Sequence, residues 1–111
     1  MGELIRLGEK RRLYRSVHFS RVELQALLQV FSRHVAIREW LDYSIDSGEK
    51  KAVFCVYRRA HDFPLYEIQK LVPGTRKSGD FLIVSKGDVI RASRSLDAAL
   101  RVFDPPLRAV P

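Results

Sequence analysis

From residue 20 to residue 35 apolar side chains recur every three or four positions, and from residue 40 onward they alternate or gather in short blocks. The first pattern is that of an amphipathic helix and the second that of strands. Leu24, Leu27, Leu28, Phe31 and Val35 form one apolar stripe, with Gln25, Gln29, Ser32 and Arg33 on the opposite face. Ser20 stands three residues before Glu23, so hydroxyl and carboxylate can each satisfy the other's backbone N–H in a capping box. Phe19 and Leu24 bracket that cap as a hydrophobic staple. The spacing predicts a helix over 21–35, with no glycine or proline to mark its end.

The period then changes. Leu41, Tyr43 and Ile45 alternate with Asp42, Ser44 and Asp46, which predicts a half-buried strand over 40–46 with an acidic outer face. Gly48 supplies the next turn. Residues 51–59 are nearly all apolar until Arg58-Arg59, as in a central strand covered on both sides. His61, Asp62 and Phe63 form a turn, and Pro64 opens a third strand over 64–70, at a position where a missing N–H is tolerated. Pro73-Gly74 turns the largest loop, with Arg76-Lys77 at its tip. A fourth strand spans 80–86, Gly87-Asp88 signals a hairpin, and a fifth strand spans 89–92. Ser95 caps a second helix whose apolar side is Leu96, Ala99, Leu100 and Phe103 and which Pro105-Pro106 stops.

Connections this short force antiparallel neighbours, because a parallel crossover needs about a dozen residues or more. The expected fold is therefore α+β: an antiparallel meander of four to five strands with both helices packed on one face. Residues 1–17 are expected to be a basic, partly flexible arm with a short strand near 13–17, residues 18–104 a single domain, and residues 105–111 a frayed tail.

Composition changes this picture in one respect. Lys and Arg number 20 against 13 Asp and Glu, a formal net charge of +7. Such a balance favours contact with polyanions or an acidic protein face. Cys55 is the one cysteine and lies in an apolar run, so it reads as a small core residue; a disulfide framework or a cysteine-based zinc site cannot be built. No stretch is long enough for a membrane span or a signal peptide, and the expected setting is a reducing cytoplasm.

Catalytic chemistry finds no constellation. His18, His34 and His61 lack metal-ligand spacing, so no metal or cofactor is expected. Asp42 and Asp46 share a strand face but stand about 13 Å apart, too far for acid/base partnership. Gly74 and Gly79 flank cations without opening a helix, so they do not cradle phosphate. Trp40 reads as a seal on the core. What rises above background is cationic and aromatic: Tyr57, Arg58, Arg59, Lys70, Arg76, Lys77, Lys86 and Arg91 fall on strand ends or loops. In a meander Arg59 and Lys86 share one rim, while Lys70 and the Arg76-Lys77 loop share the other. Tyr57 and Tyr66 beside these cations could stack on bases while the cations hold phosphates. Cations also guard sheet edges and keep a small domain soluble.

The blocks FSRVEL at 19–24, EWLDYSID at 39–46, AVFCVYRR at 52–59 and PLYEIQK at 64–70 resemble, in order and spacing, the alphaproteobacterial family known as domain of unknown function 2794, over about Phe19 to Phe103. The family pattern runs close to FDRREL, EWRDYAID, AVFSVFRR and PLYRIEK. Ser20 replaces an aspartate that caps equally well, whereas Glu67 stands where the family has a basic residue, which weakens a polyanion surface along the third strand. The resemblance implies a bacterial, cytoplasmic origin and no particular activity. The expectation is a non-enzymatic binding module that meets DNA or RNA through a cationic, aromatic-flanked sheet surface. The alternative is a module that docks an acidic protein partner or forms a homodimer through a sheet edge.

Overall fold

The computed structural model describes residues 16–60 and 62–104. Expectations for the arm before Ser16, for His61 and for the tail after Asp104 lie outside the described residues. The order is α1 (Arg21–Ala36), β1 (Asp42–Ser47), β2 (Lys51–Tyr57), β3 (Tyr66–Leu71), β4 (Phe81–Ser85), β5 (Asp88–Ser93), α2 (Leu96–Leu100) and a 3-10 turn at Arg101–Phe103. The five strands form one antiparallel sheet in the order β1-β2-β3-β4-β5, so each strand pairs only with its sequence neighbours and β1 and β5 are the edges. The expected meander and fold class are those observed. Strand ends differ by at most two residues, and Arg58-Arg59 fall beyond β2 rather than inside it.

Register assigns the faces. Tyr43 lies opposite Val56, Ile45 opposite Phe54, Phe54 opposite Ile68, and Ile68 opposite Ile83. This row faces the helices. Ala52, Phe54, Val56, Ile68 and Ile83 pack with Leu27 and Val30 of α1 and with Leu96, Ala99 and Leu100 of α2. Both helices thus lie on one face. Cys55, Gln69, Leu82 and Val84 point to the other face, and they too are buried. Each sits on an inner strand between cross-strand neighbours, as Cys55 does between Ser44 and Glu67.

The capping box forms as the sequence predicts: Glu23 N–H donates to Ser20 Oγ at 3.1 Å and Ser20 N–H to Glu23 Oε1 at 2.7 Å. The buried stripe of α1 is rotated from the expected one. Val30 is buried with Leu27, while Leu28 and Val35 stay exposed. At 100° per residue the apolar arc from Val30 round to Leu28 spans about 160°, wider than the sheet covers. The uncovered part lies toward β1, where Phe31 meets the Tyr43 ring edge-on at 4.9 Å.

α1 ends where the sequence carries no stop signal. Arg38 has φ +62°, Arg38 N–H donates to Val35 O at 2.9 Å, and Glu39 N–H donates to His34 O at 2.9 Å. These are the two hydrogen bonds of a Schellman cap, with arginine where glycine is usual. The chain then brings Trp40 back beneath the helix, stacked on His34 with ring centroids 4.0 Å apart. His34 Nδ1 lies 2.8 Å from Val30 O, and with Trp40, Tyr66 and Phe103 its ring builds an aromatic cluster. His34 is therefore a packing residue, with its Nε2 3.8 Å from Glu39 Oε2.

Two backbone features tighten the sheet. Lys86 and Gly87 both have positive φ between the paired Ser85 and Asp88, the signature of a type I′ hairpin. Gly79 has φ +116°, and a Cβ there would collide with the backbone of Ser93 and Arg94, so the loop before β4 lies directly on the end of β5. On that same rim Lys70 reaches across to α1. Its Nζ donates to Glu23 Oε1 at 2.7 Å and to His18 O at 2.8 Å. Burial alone would raise the Glu23 pKa, but the Lys70 hydrogen bond, the Ser20 amide and the Lys70 charge outweigh it and hold the carboxyl below its ordinary 4.5.

Two predictions follow from these contacts. Arg38→Gly should stabilise the domain by about 1 kcal/mol, because it removes the cost of a left-handed conformation in an L-residue; a urea midpoint that falls would contradict the cap assignment. Lys70→Met should cost about 2 kcal/mol at neutral pH, the scale of a half-buried charge-assisted hydrogen bond. A depressed carboxyl contributes stability above its unfolded value and loses it as pH falls through the lower folded value. The gap between the variant and the parent should therefore be full at pH 6 and above and shrink once the pH drops below about 4.5. Denaturant titrations across pH measure it.

Candidate functional site

The cations singled out in the sequence do not converge. β2 and β4 end, and β3 and β5 begin, on one rim, which therefore carries Arg58, Arg59 and Lys86. All three are exposed. The opposite rim holds Lys70, Arg76 and Lys77. Lys70 is committed to Glu23 and the His18 carbonyl, so it belongs to the fold's framework. Arg76 and Lys77 are exposed at the tip of a well-tied loop. The Asp80 carboxylate accepts from Gly74 N–H at 2.8 Å and Arg76 N–H at 2.9 Å, and these hydrogen bonds, Arg76 first, lower its pKa. Arg91 lies opposite Ile83 on the helix side of β5, away from both rims.

The aromatic partners are also placed differently from the expectation. The Tyr57 hydroxyl is 3.0 Å from Ser44 Oγ on the helix-free face, and the ring is half-buried. Tyr66 packs edge-on to Phe103 at 5.0 Å in the core. Neither presents an open ring. The most exposed aromatic among the described residues is Phe63, 89% exposed in the β2–β3 connection. With Pro64, Glu67, Val84, Lys86 and Gly87 it lines a shallow pocket of about 350 Å³. Sequence reasoning placed Phe63 in a turn without weighing it. Its signal was a large apolar residue among Asp62 and Pro64, in a stretch that has no strand or helix period.

The helix-free face is not cationic. Of the strand residues that point there, Asp42, Asp46 and Glu67 are acidic, Lys51 is basic, and Val53, Cys55, Leu82, Val84 and Val89 are apolar. The Cys55 thiol is pushed up by burial, so it is a poor nucleophile. Among the described residues no group of His, Cys, Asp and Glu has metal-holding geometry, and no helix is long and apolar enough to cross a membrane. An open groove of about 950 Å³ runs between α1 and α2, lined by Gln25, Gln29, Ser32, Arg33, Asp97 and Arg101 among others. Arg33 and Asp104 form an ion pair at 3.6 Å on its wall, which leaves little unmatched charge in it.

The least expected surface is apolar. Leu28 and Val35 on α1 flank Phe31, one turn away on either side. Leu41, Tyr43 and Ile45 follow at alternate positions on the facing stretch of chain. The Phe31–Tyr43 contact joins the two rows. Leu28, Val35, Leu41, Tyr43 and Ile45 each keep between 36% and 58% of their surface in water. This flank borders the outer edge of β1, which among the described residues has no strand partner along Asp42–Ser47, while Val17 bridges Gly48 just past its end, N–H to O at 2.7 Å. Val56 O accepts from Leu65 N–H on the β3 side, so Val56 does not exchange hydrogen bonds with Tyr43 opposite it. By alternation, the backbone groups of Tyr43 and Ile45 point outward from the sheet. Tyr43 N–H is met there by Asp42 Oδ1 at 2.8 Å.

Comparison with curated proteins and with solved structures gives no match. A family model does match, over residues 17–100, which takes in every described element from the start of α1 to the end of α2. The chain belongs to the family described as protein of unknown function (DUF2794).

Proposed function

We propose that this domain is a protein-interaction module, not an enzyme, and that its docking surface is the flank of α1 and β1. The observation that carries the reading is the contiguous apolar surface of Leu28, Phe31, Val35, Leu41, Tyr43 and Ile45 beside the outer edge of β1, which has no strand partner among the described residues. Single exposed apolar residues are ordinary, but a joined patch of them marks an interaction surface. A patch on the order of 300 Å² offers roughly 7 kcal/mol at 25 cal/mol per Å². Association costs about 4–15 kcal/mol. The apolar row therefore needs the backbone groups of β1 as a second source of affinity. A cytoplasmic, bacterial setting fits this reading, since the lone Cys55 needs no oxidising compartment.

A photo-crosslinking phenylalanine analogue at Leu28 or Ile45 tests the proposal in cells that make the protein. Discrete, nuclease-resistant adducts are expected from both positions. The controls are Val22, exposed on the far side of α1, and Val102 near the carboxyl end. Identical smears from all four positions, or no adduct at Leu28 and Ile45, would sink the proposal.

Phe63 favours a second reading, contact with single-stranded nucleic acid at the rim of Arg58, Arg59 and Lys86. An exposed ring beside cations can stack a base while the cations hold phosphates. Three such cations should give a slope of about −2 in log affinity against log salt for an oligonucleotide. Phe63→Ala should weaken binding by about tenfold, at the low end of a lost stacking contact. Absence of binding to both DNA and RNA oligonucleotides at low salt removes this reading and leaves the first untouched.

A further inference from the structure

The occupant of the β1 edge can be specified by charge, an inference that rests on the docking proposal above. β1 runs Asp42-Tyr43-Ser44-Ile45-Asp46-Ser47. Its helix side carries Tyr43 and Ile45, and its other side carries Asp42 and Asp46, four residues apart and both exposed. Among the described residues neither carboxylate is in an ion pair. Two carboxylates on one strand edge with no ion pair among the described residues stand out in a chain of net charge +7.

We propose that β1 accepts an extended segment of a partner protein in which cationic residues four apart flank apolar residues at alternate positions. An antiparallel strand laid on β1 would exchange backbone hydrogen bonds with Tyr43 and Ile45, whose N–H and C=O groups face outward. Its side chains opposite Tyr43 and Ile45 would extend the apolar row that Leu28, Phe31 and Val35 continue onto α1. Its side chains opposite Asp42 and Asp46 would sit within about 5 Å of the carboxylates, the distance of directly paired residues. Lysine or arginine there completes two cross-strand pairs. It also draws Asp42 off the Tyr43 amide, which frees that donor for the incoming strand.

The same arrangement discriminates against a second copy of this chain. In the two-fold register that joins Tyr43 to Ile45, Asp42 of one copy lies opposite Asp46 of the other, at both ends of the ribbon. Any antiparallel self-pairing collects four carboxylates on one face, and like charges placed opposite each other are destabilising. The acidic partner considered from the sequence meets the same repulsion here. The other edge differs: β5 is interrupted by an irregularity in register opposite Ile83 and Val84 and carries Arg91. Bulges and cations are the usual guards of an edge that pairs with nothing.

The test uses the whole chain, isotope-labelled, and two capped heptapeptides. One is Thr-Lys-Val-Thr-Val-Lys-Thr, which matches the spacing of Asp42 and Asp46 in an antiparallel register; the other replaces both lysines with glutamate. The lysine peptide should shift the amide resonances of Tyr43 and Ile45 and slow their hydrogen exchange at least tenfold. The glutamate peptide should bind at least tenfold more weakly. In Asp42→Asn/Asp46→Asn this preference should disappear, and the variant alone should show more self-association on sizing. Equal binding of the two peptides, shifts centred on β5, or no binding of the lysine peptide at millimolar concentration would overturn the inference. Crosslinks from Leu28 and Ile45 that persist in that case would show that the flank docks a partner by another mode.

Discussion

One carboxylate oxygen holds the two layers of this domain in register. Glu23 Oε1 accepts from the Ser20 amide, closing the cap of α1, and from Lys70 Nζ, which rises from β3. Lys70 also takes the His18 carbonyl, so the segment entering the helix, the first helical turn and the sheet meet at one ammonium group. Helix propensity alone would leave α1 free to roll on an apolar sheet. The joint fixes its rotation at its amino end, and the stack of His34 on Trp40 fixes it at the other. With both ends pinned, Leu27 and Val30 must point down and Leu28 and Val35 must stay out. The exposed flank is thus a consequence of how the helix is fastened.

This geometry explains how far the sequence could be read. Ser20 and Ser95 state their roles locally, because a cap involves a hydroxyl and an amide three residues on. Short connections dictated the meander in the same local way. The rotation of α1 was not legible, because five apolar residues at three- and four-residue spacing define an arc without saying which part of it meets the sheet. The end of α1 was hidden for a different reason. Its left-handed residue is Arg38, and arginine carries no sign of positive φ.

The candidate site shows the limit more sharply. Cations were found by type, and type does not tell a spent charge from a free one. Lys70 and Arg76-Lys77 look alike in the sequence, yet the first is bonded within the fold and the second pair lies open to solvent. In the sequence Tyr66 stands beside cations on a strand and Phe63 in a turn, so residue type points to the tyrosine. Burial reverses the order: Tyr66 is needed against Phe103, while Phe63 touches little. The acidic pair on β1 was visible as a solvated strand face, but only the strand order shows that this face belongs to an unpaired edge.

The meander has a consequence in time as well as in space. Every strand pairs with its neighbour in sequence, so the sheet can grow hairpin by hairpin at little loop-closure cost. Among the described residues the β1–β2 hairpin is the first in chain order. Until β3 forms, β2 as well as β1 has an open outer edge. Wherever two such hairpins meet along β1, Asp42 and Asp46 would set like charge against like.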